Sequence, residues 1–315
     1  MENIKMSKNN SEIDKSLFEA LDKDNRDLET IARPSMTYWQ DVWRRLKGNK
    51  IAMGGLVFLI FLTLVAVFGP YLSKYSYSDQ NLMEAVQPPN SDHWFGTDDL
   101  GRDLFIRVIY GARISLIIGF AASTINLLVG VLYGGVSGYL GGKVDNIMMR
   151  IIDILYTIPL TLYVILIMVV IGESGLKSIL IAIGSIYWIP MARIVRGQML
   201  TLKEQEYVLA AKTLGASDFR ILLRHLIPNA MGPIIITLTM SIPSAIFTEA
   251  FLSFIGIGVS APMASWGTLA NDALSALRSY PYLLFFPAMA ISITMLAFNF
   301  LGDGLRDALD PRMRK

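Results

Sequence analysis

Cysteine is absent from all 315 residues, which excludes disulfide frameworks, thiolate metal sites and thiol nucleophiles and leaves the redox compartment open. Charge is sparse as well: Asp, Glu, Lys and Arg make up 17% of the chain and the formal net charge is +2, so nothing points to a nucleic-acid surface. Histidine occurs twice, as His93 and His225, and neither has a partner at His-Glu-x-x-His spacing, so no metal site is expected. Asp98, Asp99 and Asp103 lack the carboxylate spacing and terminal glutamate of a calcium loop, and helix capping accounts for them better. No long apolar run lies near the start: residues 1–50 are polar, so no secretory signal is read there and the N-terminus is expected to stay attached.

What is abundant is apolar. Hydrophobic residues reach 53% and the mean hydropathy is +0.46, which points to the bilayer as solvent. Six stretches approach the ~20 residues needed to cross a hydrocarbon core of about 30 Å. They run over 51–72, 114–138, 148–171, 178–196, 230–258 and 282–303. The last four carry Pro159, Pro190, Pro243 and Pro287, and several are glycine-rich, so kinked and closely packed helices are expected.

Before them, residues 1–34 mix eight acidic with six basic side chains and read as a solvated leader, in which Ile13, Leu17, Phe18 and Leu21 suit one short amphipathic helix. Trp39, Val42, Trp43 and Leu46 then fall at i, i+3, i+4 and i+7 beside Arg44, Arg45, Lys47 and Lys50, the pattern of an interfacial helix over 35–50. The fold expected is therefore all-α and membrane-integral. Its parts are the interfacial helix, a first span with an extracellular segment (51–112), a five-helix core (113–303) and a tail (304–315).

Orientation follows from the basic residues. With the N-terminus inside, the inner segments hold 21 Lys and Arg and the outer ones six, so both termini are expected in the cytoplasm. The outer segment 73–113 contains Pro88-Pro89 and His93-Trp94-Phe95-Gly96-Thr97-Asp98-Asp99; Thr97 or Asp98 is the expected cap of a helix bearing Leu100, Leu104 and Val108, lying flat on the outer surface.

The inner segment 197–229 is longer than a chain reversal requires. Tyr207 to Leu214 is helix-forming, Gly215 suits the positive φ of a C-cap, Ser217 or Asp218 can cap a second helix, and Pro228 is read as closing it. Ala210 and Ala211 permit close backbone approach, so the element has the form of a knob for a protein groove. Ala210-Ala211, Gly215 and His225-Leu226-Ile227-Pro228-Asn229 resemble the coupling motif of ATP-binding cassette (ABC) importer permeases, in which a Glu-Ala-Ala triplet precedes a glycine. Here Leu209 stands where that glutamate is expected, with Glu206 as the neighbour able to replace it.

The resemblance extends over residues 36–315. Phe95 to Asp103, Thr248 to Gly258, Ser265-Trp266-Gly267 and Gly302 to Pro311 are similar to the dipeptide and oligopeptide permeases, and to their second permease subunit in particular. It implies a heterodimer with a homologous permease, two cytoplasmic ATPases that bind ATP and magnesium, and an extracellular peptide-binding protein. This chain itself has no phosphate loop ending in Gly-Lys-Ser/Thr and no cofactor is expected in it; it is read as a non-catalytic membrane subunit.

The resemblance assigns ATPase coupling to Glu206, Tyr207, Ala210, Ala211, Leu214, Gly215, Ala216, Phe219, Arg220, His225 and Pro228. Glu249 and Asn299, polar in apolar surroundings, should face protein or water and either line the pathway or bond neighbouring helices; Asn126 and Asp153 share that ambiguity. Trp94, Phe95, Trp266 and Tyr280 are candidates for contact with the binding protein or for an outer gate, with aromatic belting as the alternative. A nickel importer of the same family is the nearest rival reading. A secondary transporter would show internal inverted repeats, and an intramembrane protease a Ser/His, paired-aspartate or zinc constellation; neither is found.

Overall fold

Backbone groups buried in lipid must bond within their own segment, so a chain this apolar has few options besides helices. The computed structural model describes residues 36–173 and 175–310, and among them the only strand-like pairing is a single bridge between Thr97 and Asp103. The leader reading, with Ile13 to Leu21, and residues 311–315 of the tail lie outside the described residues. Two units are distinguished, 1–41 and 42–315. Of the first, the described part opens helix α1 (Tyr38–Gly48); in the second, Val42 and Leu46 of that helix pack against Ala52, Ala308 and Leu309, while Trp43 stays exposed with Lys47 over its ring.

Among the described residues, five helices or helix pairs are long and apolar enough to cross a membrane, or six with the bent pair described next: α2 (Lys50–Leu72), α3 and α4 (Leu104–Ile125 and Val131–Leu140, joined by a π turn), α7 and α8 (Leu176–Ile186 and Ile189–Leu202), α12 (Met231–Phe254) and α14 (Tyr282–Leu309). The stretch expected as a span over 148–171 is not one helix. α5 (Gly142–Thr157) and α6 (Leu160–Ile171) meet at 89°, because Pro159 drives its predecessor out of the helical region and Ile158 is extended at ψ 122°. Pro190, expected as a kink, opens α8 instead, where its missing N–H costs nothing; Pro243 and Pro287 do sit inside helices.

Pro70, inside α2, shows how such a defect is repaired. Proline cannot donate to the carbonyl four residues back, which leaves the Ala66 oxygen without its helical partner. Arg113 of α3 supplies the donor: its Nε bonds the Ala66 oxygen at 3.0 Å and its Nη2 bonds the Val67 oxygen. Arg113→Met is expected to cost about 1–3 kcal/mol through the orphaned carbonyl. Much of that cost should vanish in a Pro70→Ala background, where the helical bond returns; additive losses in thermal unfolding of the four proteins would refute the repair.

The helix expected to be capped by Thr97 or Asp98 starts later. Asp103 caps α3, accepting from the Ile106 N–H at 2.8 Å. Thr97 and Asp98 serve the preceding loop instead: the Thr97 hydroxyl accepts from the Gln87 N–H, and Asp98 accepts from the backbone of Leu100 and Arg102 and from Arg102 Nε. α3 thus begins ten residues ahead of the apolar run. Arg107 in its first turns is compensated by Asp98 at 3.3 Å and Asp272 at 3.7 Å. Burial pushes the Asp272 carboxyl up, against the pull of Arg107.

The tightest helix contact is that of α4 with α8. Gly130, Gly134 and Gly138 recur every four residues, opposite Trp188, Ala192 and Arg196 at the same spacing. A Cβ would stand 2.2 Å from the Ala192 carbonyl oxygen at Gly134 and 2.6 Å from that of Arg196 at Gly138. The backbones therefore meet with no side chain between them. At the same end, Asp145 of α5 accepts from Ser137 of α4 at 2.6 Å and takes both Nε and Nη2 of Arg196 in a forked pair.

Candidate functional site: a two-helix knob

After α8 the chain leaves the bundle for about 28 residues. α9 (Glu206–Thr213) ends in a Schellman turn: the Ala216 N–H bonds the Ala211 oxygen, the Gly215 N–H bonds the Lys212 oxygen, and Gly215 takes φ 79°. Nothing lies within 4 Å of a Cβ placed on Gly215, so it is the backbone angle, not crowding, that asks for glycine. Ser217 caps the next helix, α10 (Asp218–Ile221), by accepting from the Arg220 N–H.

Pro228 does not close that helix as expected. α10 widens into a π turn over Leu222–Leu226 and continues as α11 (Ile227–Asn229), in whose first turn Pro228 has no N–H to lose. The His225 carbonyl, behind the proline, accepts from Asn229 Nδ2 at 2.6 Å. From Ala230 the path enters α12.

One side of this hairpin is anchored. Val208, Ile221 and Leu226 are fully buried with Val131, Met191, Val195 and Met199 of α4 and α8, each contributing roughly 1.5–3 kcal/mol. Ala211 and Ala216 pack at the edge of the same cluster. Tyr139, at the end of α4, donates its hydroxyl to Asp218 at 2.6 Å and lies under the Lys212 ammonium, 5.3 Å from its ring centre. Lys203 reaches the Gly138 carbonyl at 3.0 Å. The hairpin is thus packed on α4 and α8.

The other side is bare. Leu214 is 88% exposed, Phe219 71% and Leu209 66%, with Tyr207, Glu206, Ala210 and Arg220 exposed beside them. Aliphatic and aromatic groups left this open outside the membrane-crossing helices form a contact surface that water disfavours.

The other candidates separate. Glu249 is fully buried between helices: Ser115 of α3 donates to one carboxyl oxygen at 2.9 Å and Ser253 to the other at 2.7 Å. Trp266 is 0% exposed, its indole N–H donating to the Val108 carbonyl at 2.9 Å, so a surface contact for this ring gives way to packing. Its helix, α13 (Trp266–Asp272), is fixed by a capping box at Ser265. Asn126 is buried at the π turn with its carbonyl oxygen unbonded, whereas Asn299 is exposed on α14. Asp153 accepts from Arg193 at 2.9 Å.

Of the remaining aromatics, Trp94 is exposed, Phe95 stacks on Phe286 at 3.8 Å between ring centres, and Tyr280 sits edge-on to Tyr282. Glu249 thus takes the helix-bonding alternative of its two readings, while Trp266 is packed where a surface or gate contact is expected, its hydrogen-bond partner lying 158 residues away. The α4–α8 seam is not among the expectations drawn from the sequence. Its signal, glycine at every fourth position from Gly130 to Gly138, is in the sequence.

A helical bundle of membrane spans that carries, rigidly seated on two of them, an extramembrane knob with a bare apolar face defines the permease subunit of a transporter. The chain belongs to the ABC importer permeases, in the dipeptide and oligopeptide group. The family described as "Binding-protein-dependent transport system inner membrane component" matches residues 126–315, and the "N-terminal TM domain of oligopeptide transport permease C" matches 37–89. Among its relatives, "Oligopeptide transport system permease protein OppC" of Bacillus subtilis (strain 168) is 55% identical over 96% of this chain and 99% of its own length. "Dipeptide transport system permease protein DppC" of the same organism is 56% identical over 92% of this chain and 91% of its own. The solved structure "Inward facing conformations of the MetNI methionine ABC transporter" aligns with a TM-score of 0.55 at 18% identity, over 66% of this chain and 98% of that one, which shows the fold.

Proposed function

We propose that this chain is the second permease of an ABC importer carrying dipeptides or oligopeptides into the cytoplasm, paired with a homologous permease. Two cytoplasmic ATPases bind and hydrolyse ATP with magnesium, and an extracellular binding protein delivers the peptide. Both termini lie in the cytoplasm, as the basic residues require. The peptide-permease relatives favour peptide over nickel.

The observation that carries the reading is the knob: bare where a partner would grip it and bound to α4 and α8 on its other side. ATPase closure would drive Tyr207 to Arg220 as one piece, and the α4–α8 pair would transmit the displacement into the bundle; hydrolysis would restore the inward state. Without native cysteines, the chain suits single-site cross-linking. Leu214→Cys should form a cross-link to an ATPase subunit in the assembled complex that changes on addition of ATP, and Trp94→Cys, at the opposite end, should not. Labelling of Leu214→Cys from outside intact cells, or no ATPase adduct at Leu209, Leu214 or Phe219, would refute it.

A further inference from the structure

At the end of the first span, α2 and α3 touch and then part. They touch at Gly69, where a Cβ would stand 2.9 Å from Ile109 Cγ2. Beyond that point opens a wedge of about 420 Å³, in the size range of small-ligand sites. Phe105, Ile106 and Ile109 line it, with Leu72, 84% exposed, at its rim. Its mouth carries Lys74 and Asp92, with Trp94 standing exposed against Phe105 at 5.0 Å.

Depth decides what meets this wedge. α2 is 23 residues long, so at about 1.5 Å per residue it matches the hydrocarbon thickness, and Leu72 is its last residue. The apolar walls therefore begin within acyl-chain depth, and Lys74, two residues past the helix, falls among headgroups. An exposed tryptophan is at home at the same level.

The mouth has one charge of each sign. Lys74 Nζ and Asp92 Oδ1 are 3.7 Å apart, a long pair in which both side chains are largely exposed and each keeps bonding capacity. Asp103 also lines the wedge, but its carboxylate is already bonded to the Ile106 N–H and to His93. A phosphate can accept from Lys74 while a primary ammonium donates to Asp92. A headgroup bearing only negative charge would meet Asp92 unfavourably, and a quaternary ammonium has no N–H to give.

We infer that the α2–α3 wedge binds a phospholipid with a zwitterionic, primary-amine headgroup, its acyl chain along Leu72 and Ile109 and its phosphate and ammonium on Lys74 and Asp92. This rests on membrane insertion alone and not on what is transported. The test is quenching of Trp94 in the purified importer by brominated phosphatidylethanolamine, phosphatidylcholine or phosphatidylglycerol, taken as the difference between the native chain and Trp94→Phe.

Phosphatidylethanolamine should quench at about tenfold lower mole fraction than the other two, the worth of one charge-assisted bond. Lys74→Gln or Asp92→Asn should remove that preference, and the exchange Lys74→Asp with Asp92→Lys should restore it. Equal quenching by all three lipids would reduce the wedge to ordinary lipid contact. Preference for phosphatidylglycerol would overturn the headgroup assignment, and absence of Trp94 quenching would mean that protein covers the site.

Discussion

Gly134→Val is expected to separate α4 from α8 and to lower the thermal stability of the purified chain by several degrees, with loss of most transport. A Cβ there would stand 2.2 Å from the Ala192 carbonyl oxygen, and backbone, unlike the tip of a flexible side chain, cannot step aside. Overpacking at such a contact costs about 1–3 kcal/mol, more where two helices must part over several turns. The adjacent Gly135 provides the control: its Cβ would meet only the Leu222 methyl groups at 3.5 Å and beyond, so Gly135→Ala should be tolerated. Equal melting temperatures for Gly134→Val and the native protein would remove the seam from the account of how the knob is held.

Phe219→Asp combined with Leu214→Asp should leave the fold intact and abolish uptake. Both side chains are mostly in solvent, so their loss removes little from the buried cluster of Val208, Ile221 and Leu226. In a partner's groove each would bury an apolar surface worth roughly 1.5–3 kcal/mol, and placing two carboxylates there adds a desolvation cost. ATPase retention on the purified permease should fall by about 100-fold or more. Native uptake and native ATPase retention by the double variant would exclude this face as the site of force transfer.

The knob was largely legible because its code is local. Gly215 needs its φ of 79° for a turn closed within five residues, and Ser217 caps the helix that starts at the next residue by accepting from the Arg220 N–H, so neighbours in sequence suffice to read them. Spans were legible by length wherever the helix continued, and Pro159 marked where one did not. The onset of α3 was hidden because Arg107 and Arg113 look unfit for a membrane helix until Asp272 and the Ala66 carbonyl, both distant in sequence, are brought to them. For Glu249 the sequence leaves pathway lining and helix bonding both open, and only the fold decides between them: Ser253 is one turn away on the same helix, but Ser115 comes from α3.

Leu209 illustrates a different limit. The resemblance sets a glutamate there, and the structure leaves the leucine mostly in solvent with Glu206 one turn earlier on α9.

The right-angle turn at Ile158 carries a last implication for how the molecule is made. Peptide groups that leave a helix among lipid tails need water or protein around them. A partner permease of the kind proposed above would give that 89° elbow a protein surface to meet in place of hydrocarbon. Cells producing this chain without that companion should accumulate little of it, with quality-control proteolysis beginning near residue 158.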